Sequence, residues 1–495
     1  MMVSIGGGNS RRLLAILLVW LAVSDGVLFV PFAAGDGANF DYKDALMKSL
    51  LFLEAQRSGK LPKNNRVKWR GDSALQDGQY AHIDLTGGYY DAGDNVKYGL
   101  PMAFTITTLA WATLFYKEEL SAAGQLQNSI DAIKWGTDYF LKATSKHNLL
   151  WVQVGDPDAD HKCWIRPENM KTPRTLYKIQ EDIPGTEIAA ETSAAMAAAS
   201  IVFRTIDKNY TRSILNKAKW LFDFANKYKG TYDGECPFYC SYSGYQDELL
   251  WAGSWLYVAT KQAKYHHFIT EEAISNSVAE FNWDLKYAGA QILLTELRFK
   301  GVKGLDDFKT HADNFVCANL PDSPFHQVFI TKGGLIHLRD GANMQYVTGA
   351  AFLLSVYGDL LTKHNQNVEC GTSVVKPARL LEFAKQQIDY LLGKNPLDRS
   401  FMVGFGKNPP TQAHHRGASV PVLPKNFEIN CGITFSKWLD KDGPNVNELT
   451  GAIVGGPDKN DYFEDKRKSS SFTEPVTYCN SLAVGPLARL SAHST

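Results

Sequence analysis

Residues 189–199 read Ala-Ala-Glu-Thr-Ser-Ala-Ala-Met-Ala-Ala-Ala. So many small side chains in one helix-favouring run suit a helix packed closely against other helices. On either side, apolar residues recur at helical spacing: Leu46, Leu50, Phe52 and Leu53 near the start, Phe352, Leu353, Val356 and Leu360 further on. This patterning predicts helices over 41–57, 101–118, 126–143, 187–206, 210–228, 245–263, 270–280, 285–298, 303–317, 343–362, 376–391 and 478–492, with little sustained strand alternation. Twelve helices are what six helical hairpins closed in a ring would give, although an open α-solenoid gives a similar pattern. The fold class expected is all-α. Long connections (58–100, 144–186, 318–342 and 394–477) point to functional surface, because structureless loops of that size are otherwise uncommon.

The chain has 495 residues, 44% hydrophobic and 21% charged, which excludes a disordered or collagen-like polymer. Lys+Arg and Asp+Glu are both 52, so the formal net charge is zero. A neutral chain is a poor partner for nucleic acid or an acidic membrane. Arg11 and Arg12 precede an apolar run, Leu13–Val23, and a second run, Val27–Phe32, ends in Ala33, Ala34 and Gly35. This is the pattern of a cleaved secretory signal over 1–34. Asp25 and Gly26 break the stretch, so it is a poor bilayer span. A single domain over 35–495, extracellular and without stable membrane association, is expected. Asn209-Tyr210-Thr211 is a glycosylation sequon. Seven cysteines, at 163, 236, 240, 317, 370, 431 and 479, leave at least one unpaired if the rest pair within the chain, and they lack a zinc-site spacing. Cys236 and Cys240 are close enough to share a loop disulfide.

Gly87-Gly88-Tyr89-Tyr90-Asp91-Ala92-Gly93-Asp94 sets two carboxylates three residues apart among glycines. Crowded carboxylates hold a proton, a cation or a polarised water between them, and here a base gripping a water is the functional reading; taken alone, the motif is better read as an Asp-rich turn with both side chains capping backbone. Glu474 precedes Pro475, so it sits in extended backbone just before the last helix, where a shielded carboxyl can serve as an acid. In Ala413-His414-His415-Arg416 the two histidines are adjacent and unaccompanied by a ligand at helical spacing, so no metal is expected and a polar contact to substrate is preferred. The run Asp156-Pro157-Asp158-Ala159-Asp160-His161-Lys162-Cys163-Trp164 lacks the closing Gly and distal Glu of an EF-hand, and His161 and Trp164 read as ligand contacts. Aromatics cluster over Tyr239–Tyr245 and at Trp251 and Trp255, as core or as a platform for sugar rings.

Together these stretches resemble family 9 glycoside hydrolases, specifically the secreted plant endo-β-1,4-glucanases. The further landmarks are Asp41–Leu46, Lys68-Trp69-Arg70-Gly71-Asp72-Ser73, Ser243–Glu248, Gly393-Lys394-Asn395-Pro396, and the stretches from Ser400 to Arg416 and from Phe463 to Asn480. The resemblance runs from about Asp41 to Leu490. It implies an (α/α)6 barrel and an inverting hydrolase of internal β-1,4-glucosidic bonds. Asp94 would be the general base, Asp91 would help hold its water, Glu474 would be the general acid, and Asp465 would support the site electrostatically. His414 joins the catalytic set and, with Arg416, would bind substrate hydroxyls. Tyr478 would line the cleavage subsite, with His161, Trp164 and Trp251 as further substrate contacts. The partner implied is an uncharged β-1,4-glucan, and a monomer needing no cofactor for the cleavage is expected. Some relatives hold structural calcium near Asp247-Glu248, where Gly244 lacks the side-chain oxygen that some of them use. Ala413, Ser470, Val476 and Cys479 depart from the family pattern in or beside the site segments, which bears on efficiency and on subsite shape. Xyloglucan or another β-1,4-linked wall glycan is an alternative substrate, and a catalytically impaired glycan-binding wall protein an alternative role.

Overall fold

The computed structural model describes residues 40–232, 238–424 and 426–493; the expected signal segment, 1–34, lies outside them. Twelve helices organise the described residues. They are α1 (Tyr42–Ala55), α2 (Gly99–Phe115), α3 (Leu126–Ala143), α4 (Thr186–Val202), α5 (Lys208–Lys227), α6 (Gln246–Thr260), α7 (Ala263–His267), α8 (Tyr287–Phe299), α9 (Asp306–Asn319), α10 (Met344–Lys363), α11 (Pro377–Leu392) and α12 (Thr477–Ala492).

The even-numbered helices form the inner ring: α2 packs on α4, α4 on α6, α6 on α8, α8 on α10, α10 on α12, and α12 back on α2. Each odd-numbered helix lies outside, against its neighbour in sequence: α5 on α4, α7 on α6, α9 on α8, α11 on α10, with α1 on α12 and α3 on α2. The ring is closed, so the (α/α)6 expectation holds and the solenoid does not. Sequence and position agree. Inner helices are buried nearly all round, and in α4 every residue from Thr186 to Ser200 is buried, which is what its alanines permit. Outer helices such as α3, α5 and α11 bury one face only.

Small hydroxyls sew the ring shut: Thr105 Oγ1 meets Thr477 Oγ1 at 2.9 Å and Thr108 Oγ1 meets Ser481 Oγ at 2.7 Å, joining α2 to α12. A buried ammonium joins three more inner helices. Lys286, at the start of α8, lies 2.8 Å from Glu248 of α6 and 3.7 Å from Glu191 of α4, all wholly enclosed. Thr107 of α2 donates to the same Glu191 at 2.6 Å.

One predicted helix differs. Over 270–280 the chain makes only the end of a π turn, Phe268–Glu272, and then runs extended from Ala273. Ser275, Asn276 and Ser277 favour local bonds over a helix, and Gln291 Nε2 of α8 captures Ser275 Oγ at 3.0 Å and the Asn276 carbonyl at 2.7 Å. The sixth outer position is therefore the short α7.

Alternation of inner and outer helices fixes where the loops go. The connections into inner helices are the long ones: 56–98, 144–185, 228–245, 273–286, 320–343 and 393–476. All of them reach the N-terminal end of the inner ring. A three-stranded antiparallel sheet within them, β1 (Lys97–Tyr98), β2 (Leu149–Val154) and β3 (Leu176–Gln180), pairs Lys97 with Val154 and Leu150 with Ile179. Cys163–Cys431 and Cys317–Cys370 are disulfides, and Cys479 is the buried free thiol among the described cysteines. The expected Cys236–Cys240 link falls partly outside the described residues.

Removing the buried ammonium tests the ring. Breaking an enclosed ion pair costs roughly 3–5 kcal/mol, so Lys286→Met should lower unfolding stability by about that much; a change under about 1 kcal/mol in urea denaturation would show that Glu191 and Glu248 do without it.

Candidate active site

The loop before α2 carries Asp91 and Asp94. It is anchored from below by Lys97, whose buried Nζ meets Asp77 at 2.8 Å and the Leu85 carbonyl at 2.6 Å. Asp77 also binds Arg174 at 2.8 Å, and Arg174 Nη1 donates to the Asn95 carbonyl at 2.6 Å, next to Asp94. Gln56 Nε2 holds the Ala92 carbonyl at 2.7 Å. His415 Nε2 donates to Gln56 Oε1 at 2.8 Å while its Nδ1 accepts the Ala418 N–H at 3.0 Å. Both ring nitrogens of His415 are thus spent on protein, and burial, with Arg70 and Arg416 nearby, drops its pKa to about 3.

Glu474 arrives from the opposite end of the sequence. A short helical turn, Ser470–Thr473, ends at Glu474 in extended backbone (φ −80°, ψ 124°), as a residue before proline requires. Glu474 Oε1 accepts the Gly93 N–H at 3.1 Å, one residue from Asp94. The Thr477 N–H donates to the Asp91 carbonyl at 3.1 Å. Two carboxyl-bearing segments far apart in sequence are therefore stitched together by one backbone-to-side-chain bond, spanning 381 positions, and one backbone-to-backbone bond.

Asp94 is buried, with Oδ1 on the Val96 N–H at 3.2 Å and Oδ2 on His161 Nε2 at 3.2 Å. His161 is 37% exposed in its side chain and stands edge-on to Phe238. Its partial burial favours the neutral ring, but the Asp94 carboxylate more than offsets this and raises its pKa. Asp91 accepts a short hydrogen bond from the Tyr239 hydroxyl on Oδ2, and its buried Oδ1 has no protein partner. Burial first, then repulsion from Asp94 and Glu474, push its pKa well above the usual carboxylate range, against the bond from Tyr239. Tyr478 is buried beneath, with its hydroxyl 3.4 Å from that of Tyr239. His414 Nδ1 lies 2.6 Å from the Arg467 carbonyl, and burial lowers its pKa although Glu474 opposes the shift.

Three predicted substrate contacts are corrected. Trp251 is 0% exposed, in a cluster with Trp111, Trp255 and Phe281, and its Nε1 donates to Glu191; it is core, because its place on an inner helix turns it into the ring. Trp164 is 1% exposed: its Nε1 donates to Ser419 Oγ at 2.8 Å, and its ring packs edge-on against His414 and lies 4.8 Å from the Arg416 guanidinium. Arg416 is itself 3% exposed, directed to the carbonyls of Gly93 and Cys163 and to Asp160 at 3.4 Å. Trp164 and Arg416 position His414 and the Gly93 loop. Asp465 likewise spends its oxygens on the N–H groups of Thr411 at 2.9 Å and Gln412 at 3.1 Å, tying down the stretch that delivers His414.

Among the departures, Ala413 and Val476 fill core and Cys479 is an enclosed thiol raised by burial. Ser470 starts the turn that presents Glu474, accepting its N–H at 2.9 Å. Tyr239, Gln56 and Asp160 are the contributors that motif reading did not assign; Tyr239 and Asp160 lay inside stretches it had singled out. Asn209 is exposed at the first turn of α5.

In the sequence Gly244 counts against a structural calcium; the oxygens present bear on it directly. Ser243 Oγ lies 2.6 Å from the Asp284 carbonyl and 3.3 Å from Asp247 Oδ1, and Asp284 Oδ1 is 3.5 Å away. This oxygen-rich group fits a hard cation, whereas Glu248 is already paired with Lys286.

A carboxyl whose folded pKa is raised contributes stability that is complete below its unfolded value and lost as pH rises through its folded value. Asp91→Asn should therefore leave thermal stability nearly unchanged below about pH 4 and make the protein progressively more stable than wild type as pH rises above that. Parallel melting curves across pH would refute this if the two proteins diverged in acid instead.

The glycosyl hydrolase family 9 model matches residues 42–487. Endoglucanase 8 of Oryza sativa subsp. japonica is 65% identical over 485 residues, covering 98% of this chain and 96% of its own. Endoglucanase 16 of Arabidopsis thaliana is 65% identical over 457 residues, covering 92% and 94%. Among solved structures, the endoglucanase of the termite Nasutitermes takasagoensis superposes with a TM-score of 0.79 at 39% identity, covering 92% of this chain and 100% of that one. The cellulase Cel9M of C. cellulolyticum in complex with cellobiose gives 0.79 at 32%, with the same coverages. The chain belongs to glycosyl hydrolase family 9.

Proposed function

We propose that this protein is an endo-β-1,4-glucanase that inverts at the anomeric carbon, with Asp94 as general base and Glu474 as general acid. The observation that carries the reading is the bond from the Gly93 N–H to Glu474 Oε1, which sets the acid one residue from the base. Inversion needs two carboxyls with a water-sized gap, roughly 6.5–9.5 Å between them. Asp94 takes a proton from the water as it attacks the anomeric carbon; Glu474 gives its proton to the departing glucosidic oxygen. His161 orients Asp94 Oδ2, and Asp91, three residues before the base and gripped by Tyr239, keeps a buried Oδ1 without a protein partner. Every protonatable group needed is a side chain of this protein, and a neutral glucan suits a chain of zero formal charge.

The basic-then-apolar amino terminus supports secretion to the cell wall, and the exposed Asn209 suits a glycan. No described helix is long and apolar enough to cross a membrane. A calcium ion held by Ser243, Asp247 and Asp284 would be structural, fixing the loop that carries Tyr239. Chelation should then lower the melting temperature by several degrees and added calcium should restore it; an unchanged melting curve in EDTA would discard the ion.

Hydrolysis of carboxymethylcellulose tests the main reading. Viscosity should fall quickly while few reducing ends appear. Glu474→Gln should lose at least about a hundredfold in rate, the lower range for removing a general acid. Equal activity in the variant would refute the assignment of the acid. Faster cleavage of xyloglucan would move the substrate, and intact polymers throughout would leave a glycan-binding protein.

A further inference from the structure

Asp94, Asp160 and His161 each bring a ligand-type atom within 4.8 Å of the other two, and among the described residues no other trio of His, Cys, Asp and Glu does so. Asp160 is 1% exposed. Its Oδ2 accepts the Asn95 N–H at 3.3 Å and faces Arg416 at 3.4 Å, but its Oδ1 is buried without a hydrogen-bond partner. An enclosed carboxylate oxygen left unsatisfied calls for a cation or a donor. The 3.2 Å between His161 Nε2 and Asp94 Oδ2 is close to the edge of a tetrahedral site: zinc bonds of about 2.0–2.2 Å to nitrogen and oxygen put two donors about 3.4 Å apart. Access comes from the His161 side, the exposed member of the three.

We infer that Asp94, Asp160 and His161 form a site for a divalent transition-metal ion of the zinc and copper class, which binds in competition with glucan and arrests the enzyme. The imidazole selects that class over calcium or magnesium, which take oxygen ligands. Arg416 neutralises one carboxylate, so the site carries less charge than its two acids suggest and binds reversibly rather than as a resident cofactor. Its guanidinium, on Asp160 Oδ2, is further held by the Gly93 and Cys163 carbonyls and the Trp164 ring. The ion takes the Asp94 oxygen that would accept the proton of the attacking water. The arrest rests on the proposed role of Asp94; the binding does not.

The test is calorimetric titration of zinc into the full protein in excess calcium, with cobalt absorption as a second reading of coordination. One zinc per chain is expected, weakened at least tenfold by His161→Gln and by Asp160→Asn, weakened also by cellotetraose, and with a half-inhibiting concentration on carboxymethylcellulose that tracks the dissociation constant. No saturable binding, or binding equal in wild type and variants (an adventitious ion only), would overturn it. Should Asp160→Asn fail to fold by circular dichroism, His161→Gln decides alone, since that side chain is partly exposed. If carboxymethylcellulose is not cleaved even without zinc, the proposed function fails while the titration still decides the metal site.

Discussion

Gly93 donates its N–H to Glu474 Oε1 at 3.1 Å, and its carbonyl accepts the Arg416 N–H at 2.9 Å. A Cβ at this position would stand 2.0 Å from the His414 carbonyl oxygen. Three segments distant in sequence thus meet around one residue too tightly for any side chain. Small errors in placing a catalytic group are expensive; here a backbone amide fixes the Glu474 carboxyl, and a backbone-to-backbone bond, which needs no rotamer to be held, ties the Arg416 segment to the same residue. Glycine serves here for close approach rather than for an unusual dihedral angle.

That contact exists only because the ring closes. α2 begins just after Asp94 and α12 just after Glu474, and the two helices are neighbours joined by Thr105–Thr477 and Thr108–Ser481. Closing the first inner helix against the last brings the acid segment to the base segment. The remaining loops, delivered to the same end by strict alternation of inner and outer helices, supply the walls: 157–164 with His161, 411–419 with His414 and Arg416, and the stretch with Tyr239. The Cys163–Cys431 disulfide joins two of these loops directly.

The helices were legible because burial writes itself into composition: all-round small and apolar for α4, one-faced for α3, α5 and α11. The stretch 270–280 misled because its apolar spacing is real, while the competing bonds come from Gln291 on another helix. The carboxyl-bearing segments were legible from glycine, proline and acid spacing. What their neighbours do was not. Trp251 and Trp255 at four-residue spacing must share a face, but spacing does not say whether that face meets sugar or the ring interior. Arg416 looked like a substrate ligand, and it proved to be committed to Asp160 and two carbonyls contributed by loops hundreds of residues away. Tyr239 pairs with Asp91 across 148 positions, a relation that no local pattern encodes.

Charge explains why those commitments matter. Asp91, Asp94, Asp160 and Glu474 converge with Arg416 as the guanidinium among them, while Lys97 and Arg174 below are spent on Asp77. Four ionised carboxylates would not coexist in so small a volume. The fold resolves the conflict by depth. Asp91 and Asp160, the most enclosed, have their pKa values raised first by burial, Asp160 even with Arg416 opposing the shift. Asp94 and Glu474 are left nearer the cleft, one fixed by His161 and the other by a backbone amide. A deep carboxyl whose ionisation is disfavoured by burial competes less with the base for charge. Tyr239 on Asp91, Arg416 on Asp160 and His161 on Asp94 fix where these carboxyls stand, and the reacting pair is defined as much by its silent neighbours as by its own contacts.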